Sequence, residues 1–358
     1  MSCSGEVTTR ARTKKRDTAE ERDSFVSSLW ELIVKCDDVS FQHILPRLNS
    51  NDIKFLYGVN KETRKLIKRS SREGELKERF KVREMSSIST LEVAWENRKN
   101  KSLWPSDWEE ERDFCWCWRV ASTNKLELLK WAREEKKCKW DWWTINMAAK
   151  QDNMEMLKYC VANECPIDEF ACANAAGNGH LECLKYLREE VKAPWDWRSA
   201  AWAAENGHLH ILEYLVERKF DKYNEYACEY AAMNGHLDCL KYLHETAKAP
   251  WYSDTASIAA DSGNLHILEY LVEREYDEYD ENACRNAAEN GHLDCLKYLH
   301  ETAKAPWDGY AFQGARKNKH PECVQYLLDN DCPLLPDGWR YVNGELHIPE
   351  SDSESESE

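Results

Sequence analysis

The most regular feature of the chain is a pattern of apolar and polar positions that keeps returning. Small apolar residues come first, as in Ala231 and Ala232. A polar turn follows, Asn234-Gly235-His236. Leu237, Leu240 and Leu243 come next at helical rather than strand spacing, with Cys239 and Tyr242 beside them. With the residue after the turn as anchor, the pattern recurs at Leu126, Met154, Leu181, Leu209, Leu237, Leu265, Leu293 and, degenerately, Pro321. The steps are 28 residues, with one of 27. Eight repeats therefore fill roughly 108–335.

A longer period lies over the short one. The eighteen residues of 234–251 occur again, unchanged, at 290–307. Aligning 227–251 with 283–307 leaves three differences in 25 residues, which points to duplication of a two-repeat block. Each repeat predicts a first helix of small residues, a turn, a second helix and a connector such as Thr246-Ala-Lys-Ala-Pro-Trp. Five of the thirteen glycines sit in the turn, at 179, 207, 235, 263 and 291, where a helix C-terminus needs positive φ. Pro250 cannot continue a helix and fixes the exit. One such repeat cannot bury its own apolar face and needs copies of itself as neighbours. The expected fold is therefore all-α, an α-solenoid of stacked helix-turn-helix repeats.

Ala-Ala-Glu-Asn-Gly-His-Leu-Asp-Cys-Leu-Lys-Tyr-Leu at 287–299 resembles the core of an ankyrin repeat. The common ankyrin unit has about 33 residues and opens on Thr-Pro-Leu-His. This chain lacks that opening, with Tyr226-Ala-Cys-Glu at the matching place. The missing residues fall in the connector, so the resemblance implies trimmed fingers with little or no β-structure.

Outside 108–335 the pattern changes. Residues 1–23 are polar and charged, an expected disordered arm. Residues 24–80 predict a small helical segment, beginning with a helix that turns Phe25, Leu29, Leu32 and Ile33 inward. From Phe41 the order is helix, turn at Asn49-Ser50-Asn51, helix, turn near Gly58, helix, with Ser50 or Asn51 as cap. This stretch resembles an F-box. Ile44, Leu45 and Leu48 fill that family's first pattern, Asp52, Ile53 and Leu56 its second, and Val59, Asn60, Lys61, Leu66 and Ile67 its third. The usual Leu-Pro opening and the late aromatic are absent. The resemblance implies that Ile44, Leu45, Leu48, Ile53 and Leu56 dock a ubiquitin-ligase adaptor. The alternative is a helical lead-in that caps the array. Ten Lys or Arg against four Glu over 61–83 read as a solvated basic helix face. Residues 81–107 read as a linker, and 336–358 as an acidic tail whose serines, from Ser351 on, stand in a context favoured by acid-directed kinases.

Composition narrows the chemistry. The formal net charge of −16 argues against general nucleic-acid binding, which needs clustered cations. No apolar run is long enough to span a membrane, and the N-terminus lacks the apolar core of a secretory signal. The expected compartment is cytosol or nucleus, with the fifteen cysteines as thiols. His180, His208, His236, His292 and His320 share one register, which assigns their rings to hydrogen bonds with neighbouring backbone rather than to a metal. Cys172, Cys228 and Cys284 match across copies, as do Cys183, Cys239, Cys295 and Cys323, and read as small buried hydrophobes. Cys115-Trp116-Cys117 lacks spaced partners. Trp140, Trp195, Trp251 and Trp307 recur at connectors and are expected to plug the groove between neighbouring repeats. No His-Glu-x-x-His, Cys-x-x-Cys, phosphate loop or nucleophile elbow occurs, so no cofactor, metal or catalysis is expected.

Information in a scaffold lies where copies differ. Two residues before the Ala-Ala pair change freely, from Trp118-Arg119 through Ala201-Trp202, Glu229-Tyr230 and Arg285-Asn286 to Gln313-Gly314. In ankyrin-like solenoids the first helix lines the concave face, where aromatic and Arg residues anchor partners. The expected protein-binding strip is Arg119, Trp202, Glu229, Tyr230, Arg285 and Asn286; the alternative is drift on a tolerant surface. Three functions stand: a protein-interaction scaffold, a substrate receptor of a cullin-type ubiquitin ligase, and an enzyme hidden in the Cys and His set.

Overall fold

The computed structural model describes residues 45–59, 61–77, 81–96, 116–252, 254–333, 340–342 and 345–347. The N-terminal arm, the helix from Ser24, Ile44, Cys115 and the serines from Ser351 lie outside these. The chain divides into two compact parts, 1–144 and 145–358.

In the first part, the turn Leu45–Arg47 leads to the helices Ser50–Val59 and Lys61–Arg69. Leu45, Ile53 and Ile67 form a buried cluster, with Leu48, Leu56 and Tyr57 partly buried against it. The cap of the first helix is Asn49, not Ser50 or Asn51: its Oδ1 accepts from the backbone N–H of Asn51 and Asp52 at 2.9 Å. That helix ends at Val59 and the next begins at Lys61, so the break expected near Gly58 falls just past it. Lys61–Arg69 turns Thr63, Leu66 and Ile67 inward and Arg64, Lys65, Lys68 and Arg69 to solvent, which is the solvated basic face. The described part of the expected linker is structured. Ile88–Glu96 is a helix with Thr90, Leu91 and Ala94 buried, because its apolar positions follow a helical stripe. Trp95 meets Trp116 edge to face at 5.3 Å. Lys136 Nζ lies 2.8 Å from Glu92 Oε1. The first repeat, Trp116–Ala121 with Leu126–Glu134, thus packs on this helical segment.

Each of the eight repeats is a helix pair, and among the described residues of 116–333 no strand occurs. The Ala-Ala pairs at 175–176, 203–204, 231–232, 259–260 and 287–288 are fully buried. Having no bulk, they let the first helices of successive repeats close up. In the second helices Leu240 and Leu243 are buried as expected. The anchor Leu237 is only half-buried, and Cys239 takes the inner place.

The turn glycines all have φ between 72° and 77°. His236 N donates to Ala231 O at 2.9 Å and Gly235 N to Ala232 O at 3.3 Å, the paired closure of a Schellman motif. These glycines answer to a second demand as well. A Cβ on Gly207 would stand 2.8 Å from His236 Nδ1, and one on Gly263 would stand 2.6 Å from His292 Nδ1. His208, His236, His292 and His320 therefore each lie against the glycine of the preceding repeat. Turn-histidine rings also reach the preceding repeat's backbone: His180 Nε2 is 3.0 Å from Lys150 O and His292 Nε2 is 3.0 Å from Asp261 O.

The 56-residue period has a structural counterpart. Three alternate second helices end in a π segment, at Tyr186–Val191, Leu243–Ala247 and Leu299–Ala303. The helix thus continues into the expected connector and absorbs one extra residue. Lys192, Lys248 and Lys304 then take positive φ one place later than Lys219 and Glu275 do in the repeats between. Ala249 N accordingly bonds Leu243 O, whereas Phe220 N bonds the closer Leu215 O.

The connector tryptophans stack first on their own repeat. Trp251 lies on His244 with centroids 3.8 Å apart and Trp307 on His300 at 3.7 Å. Arginine fills the same place at Trp195, with Arg188 at 3.9 Å, and at Trp140, with Arg133 at 4.1 Å. Contact with the next repeat is made by the ring edge, as in Trp195 against Phe220 at 5.1 Å and Trp251 against Tyr276 at 5.6 Å. Burial holds His244 and His300 below the ordinary imidazole value of 6.5. The folded state therefore favours neutral rings, and the unfolded chain takes up protons first as pH falls. Their contribution is complete above pH ~6.5 and lost below it. The expected result is a urea midpoint that drops between pH 7.5 and 5.5. His244→Arg with His300→Arg should flatten that slope while keeping the stack. His208, also held low by burial, should leave a remainder.

First helices carry one more registered signal. Asp168, Asp280 and Asp308 cap their helices, with Asp280 Oδ1 accepting from Asn282 N at 3.1 Å. Asp280→Ala is expected to cost about 1 kcal/mol in urea unfolding.

Past the array, Arg340–Val342 and Glu345–His347 pair antiparallel, with Val342 opposite Glu345. This hairpin falls inside the expected acidic tail. The sequence between the strands is Asn343-Gly344, the pair most favoured in two-residue hairpin loops.

Candidate protein-binding face

The six residues expected on the partner face all lie on first helices. In the first part of the chain, Arg119 is half-buried and its guanidinium lies over Trp118 at 4.9 Å. In the second part, Trp202 on the helix Arg198–Glu205 presses onto the preceding repeat, where a Cβ on Gly177 would come within 2.8 Å of its own Cβ. Its ring lies 6.0 Å from Phe170. Tyr230 on the helix Glu225–Met233 stacks with Tyr226 at 5.9 Å. Tyr226 in turn lies 5.1 Å from Trp197. Arg198 bridges the two groups, 4.7 Å from the Phe170 ring and 4.9 Å from that of Trp197. Trp202 and Tyr230 thus belong to one aromatic face spread over three successive repeats.

Arg285 and Asn286 are spent internally. Arg285 Nη2 lies 2.9 Å from Asp308 Oδ2 and Nη1 is 3.1 Å from Asn282 Oδ1. Asn286 Nδ2 donates to Ser257 O at 3.2 Å. Phe170, Trp197, Arg198 and Tyr226 were not in the expected strip. The readable signal is helical spacing: Arg198 and Tyr226 stand one turn before Trp202 and Tyr230, on the same helix face.

Burial is the main influence raising the Glu229 carboxyl above its ordinary value, and the charges of Glu225 and Asp254 add to it. The second-helix face is closed by contrast. Tyr214, Tyr270 and Tyr326 donate to Glu189, Glu245 and Glu301 of the preceding repeat at 3.0–3.2 Å. Arg218 and Arg274 pair with the first two of these glutamates.

Of the adaptor-docking set, Ile44 lies outside the described residues. Leu45 and Ile53 are buried in the cluster of their own segment. Leu48 and Leu56 keep only part of their surface.

All twelve described cysteines are buried free thiols. Burial pushes Cys172, Cys228 and Cys284 up to about 12, and Cys239 and Cys295 to about 11. Among the described residues no group of three or more His, Cys, Asp or Glu is placed to hold a metal ion. No described helix is long and apolar enough to cross a membrane.

Successive helix pairs, each closed by a short polar turn, define a helical repeat array. The family described as Ankyrin repeats matches it in three copies, over 173–254, 229–309 and 256–335. Residues 173–335 therefore carry ankyrin repeats, modules that in general bind other proteins. The match begins just before Gly179-His180, the first turn with both residues; the two earlier turns carry Asn124-Lys125 and Asp152-Asn153 instead. No curated protein matches the chain.

Proposed function

We propose that the protein is a non-catalytic interaction scaffold and that the aromatic first-helix face around Phe170, Trp202, Tyr226 and Tyr230 binds a protein partner. What carries this reading is the contrast between the two faces. The second-helix side ties its Tyr, Glu and Arg groups to one another, while the first-helix side leaves Tyr226 40% exposed beside Trp197 and Tyr230. Rigid aromatic side chains give large contact area at low entropic cost and dominate interface energetics. Docking of a ubiquitin-ligase adaptor through 38–70 lacks such support, since Leu45 and Ile53 fill their own core.

The test is affinity capture with the full chain, followed by titration of the captured protein. Trp202→Ala with Tyr230→Ala is expected to weaken that complex by at least about 2 kcal/mol at unchanged helical content. Unchanged affinity would move the binding surface elsewhere.

A further inference from the structure

One first-helix position closes on the following repeat in two of its eight copies, and in a third it carries an acid. Asn146, Glu229 and Arg285 hold the same place in their repeats. Asn146 Nδ2 donates to Asp168 Oδ1 at 3.1 Å and Arg285 Nη2 to Asp308 Oδ2 at 2.9 Å. Each acceptor caps the first helix of the following repeat. The Arg285 guanidinium also lies over the Tyr310 ring at 4.7 Å. Glu229 has no donor to offer in that place. The charges around it are those of Glu225, one turn back, and Asp254, ahead in the next repeat. Tyr226, which holds the helix position of Tyr310, stands exposed beside it.

The duplicated block makes the comparison sharp. Between 227–251 and 283–307 the only changes are Glu229 for Arg285, Tyr230 for Asn286 and Met233 for Glu289. All three fall on one first helix, and Met233 is 43% exposed. Together they replace an internally closed arginine-carboxylate pair with an apolar, aromatic and acidic surface.

We propose that Tyr226, Glu229, Tyr230 and Met233, with Glu225 and Asp254 behind them, receive an arginine side chain of the protein partner. That arginine would rebuild between two molecules the arrangement Arg285 makes within one: guanidinium against a carboxylate and over a tyrosine ring. Arginine suits the place better than lysine because its planar fork pairs with a carboxylate and stacks on an aromatic face together. The proposal rests on the first-helix face being the binding surface, and the experiment separates the two ideas.

A displayed library of random peptides is selected against the full chain. Enriched peptides are then titrated against the wild type and against Tyr230→Ala, Glu229→Gln, Glu229→Arg and Glu213→Arg, the last an acid on a second helix. The expected result is a shared arginine and binding lost in Tyr230→Ala. Affinity should fall about tenfold in Glu229→Gln and about a hundredfold in Glu229→Arg. Glu213→Arg should leave it within about twofold, as a distant screened charge. Peptides that need Tyr230 but share no arginine, share a lysine instead, or ignore Glu229→Gln would overturn the proposal and leave the binding face standing. Equal losses in Glu229→Arg and Glu213→Arg would reduce it to attraction by net charge. Selection of no peptide that depends on Tyr230 would overturn both.

Discussion

Gly263→Ala is expected to destabilise the array by about 2–4 kcal/mol, read as a lower urea midpoint. The first share is conformational. Gly263 has φ +72°, a region that costs an L-residue about 1–2 kcal/mol. The second share is steric. The new methyl would stand 2.6 Å from His292 Nδ1, 2.7 Å from Cε1 and 3.0 Å from Cγ, so the whole ring must shift and not merely a flexible tip. That shift also breaks the bond of His292 Nε2 to Asp261 O, worth about 1 kcal/mol. The reverse change is informative at the last turn, where Lys319 holds the glycine place at φ 65°. Lys319→Gly is expected to stabilise by roughly 0.5–1 kcal/mol, the relieved strain less the freedom gained by the unfolded chain. If Gly263→Ala were neutral, the glycine-histidine contact would not be what joins successive repeats.

Leu45→Asp is the second large effect, expected to cost about 4 kcal/mol or more and to unfold its helical segment. Leu45 is 2% exposed and Ile53 and Ile67 are fully buried around it. The neighbouring cation, Arg72, is already held by the carbonyls of Leu45 and Leu48 and by Glu75, so a carboxylate in this apolar cluster lacks a partner of its own, and such a buried charge is among the most damaging substitutions. Hydrogen exchange read by mass spectrometry should show lost protection over 45–69. Residues 145–333 should keep theirs, since repeats depend on their neighbours. Native protection over 50–69 in the variant would mean that Leu45 is not a core residue. The same result bears on any adaptor-binding assay: loss of binding in Leu45→Asp would report loss of fold.

Much of the fold was legible before any coordinates. A step of 28 residues, helical Leu spacing and glycines in one register admit few arrangements other than stacked helix pairs. These are local properties of the chain, and local propensity and periodicity record them directly. The N-terminal segment was harder to read because its pattern occurs once. Asn49 rather than Ser50 proved to be the cap, and 81–96 packed instead of linking. The hairpin at 340–347 was readable from Asn343-Gly344 but lay hidden within an acidic stretch.

The candidate face was half legible. Sequence variation picked out Trp202, Glu229, Tyr230 and Arg285 as places where copies differ, because a repeated scaffold exposes its exceptions. It carried no word on what each side chain meets one repeat away. Whether Arg285 stays available or closes on Asp308 depends on where the next capping Asp falls, 23 residues on. Whether Glu229 finds a donor or another acid depends on the same stacking. The sequence by itself determined that this protein is an array of helix pairs, since periodicity is a one-dimensional property. Only the tertiary structure decided which exceptions remain open to a partner, since that is set by neighbours brought together across repeats.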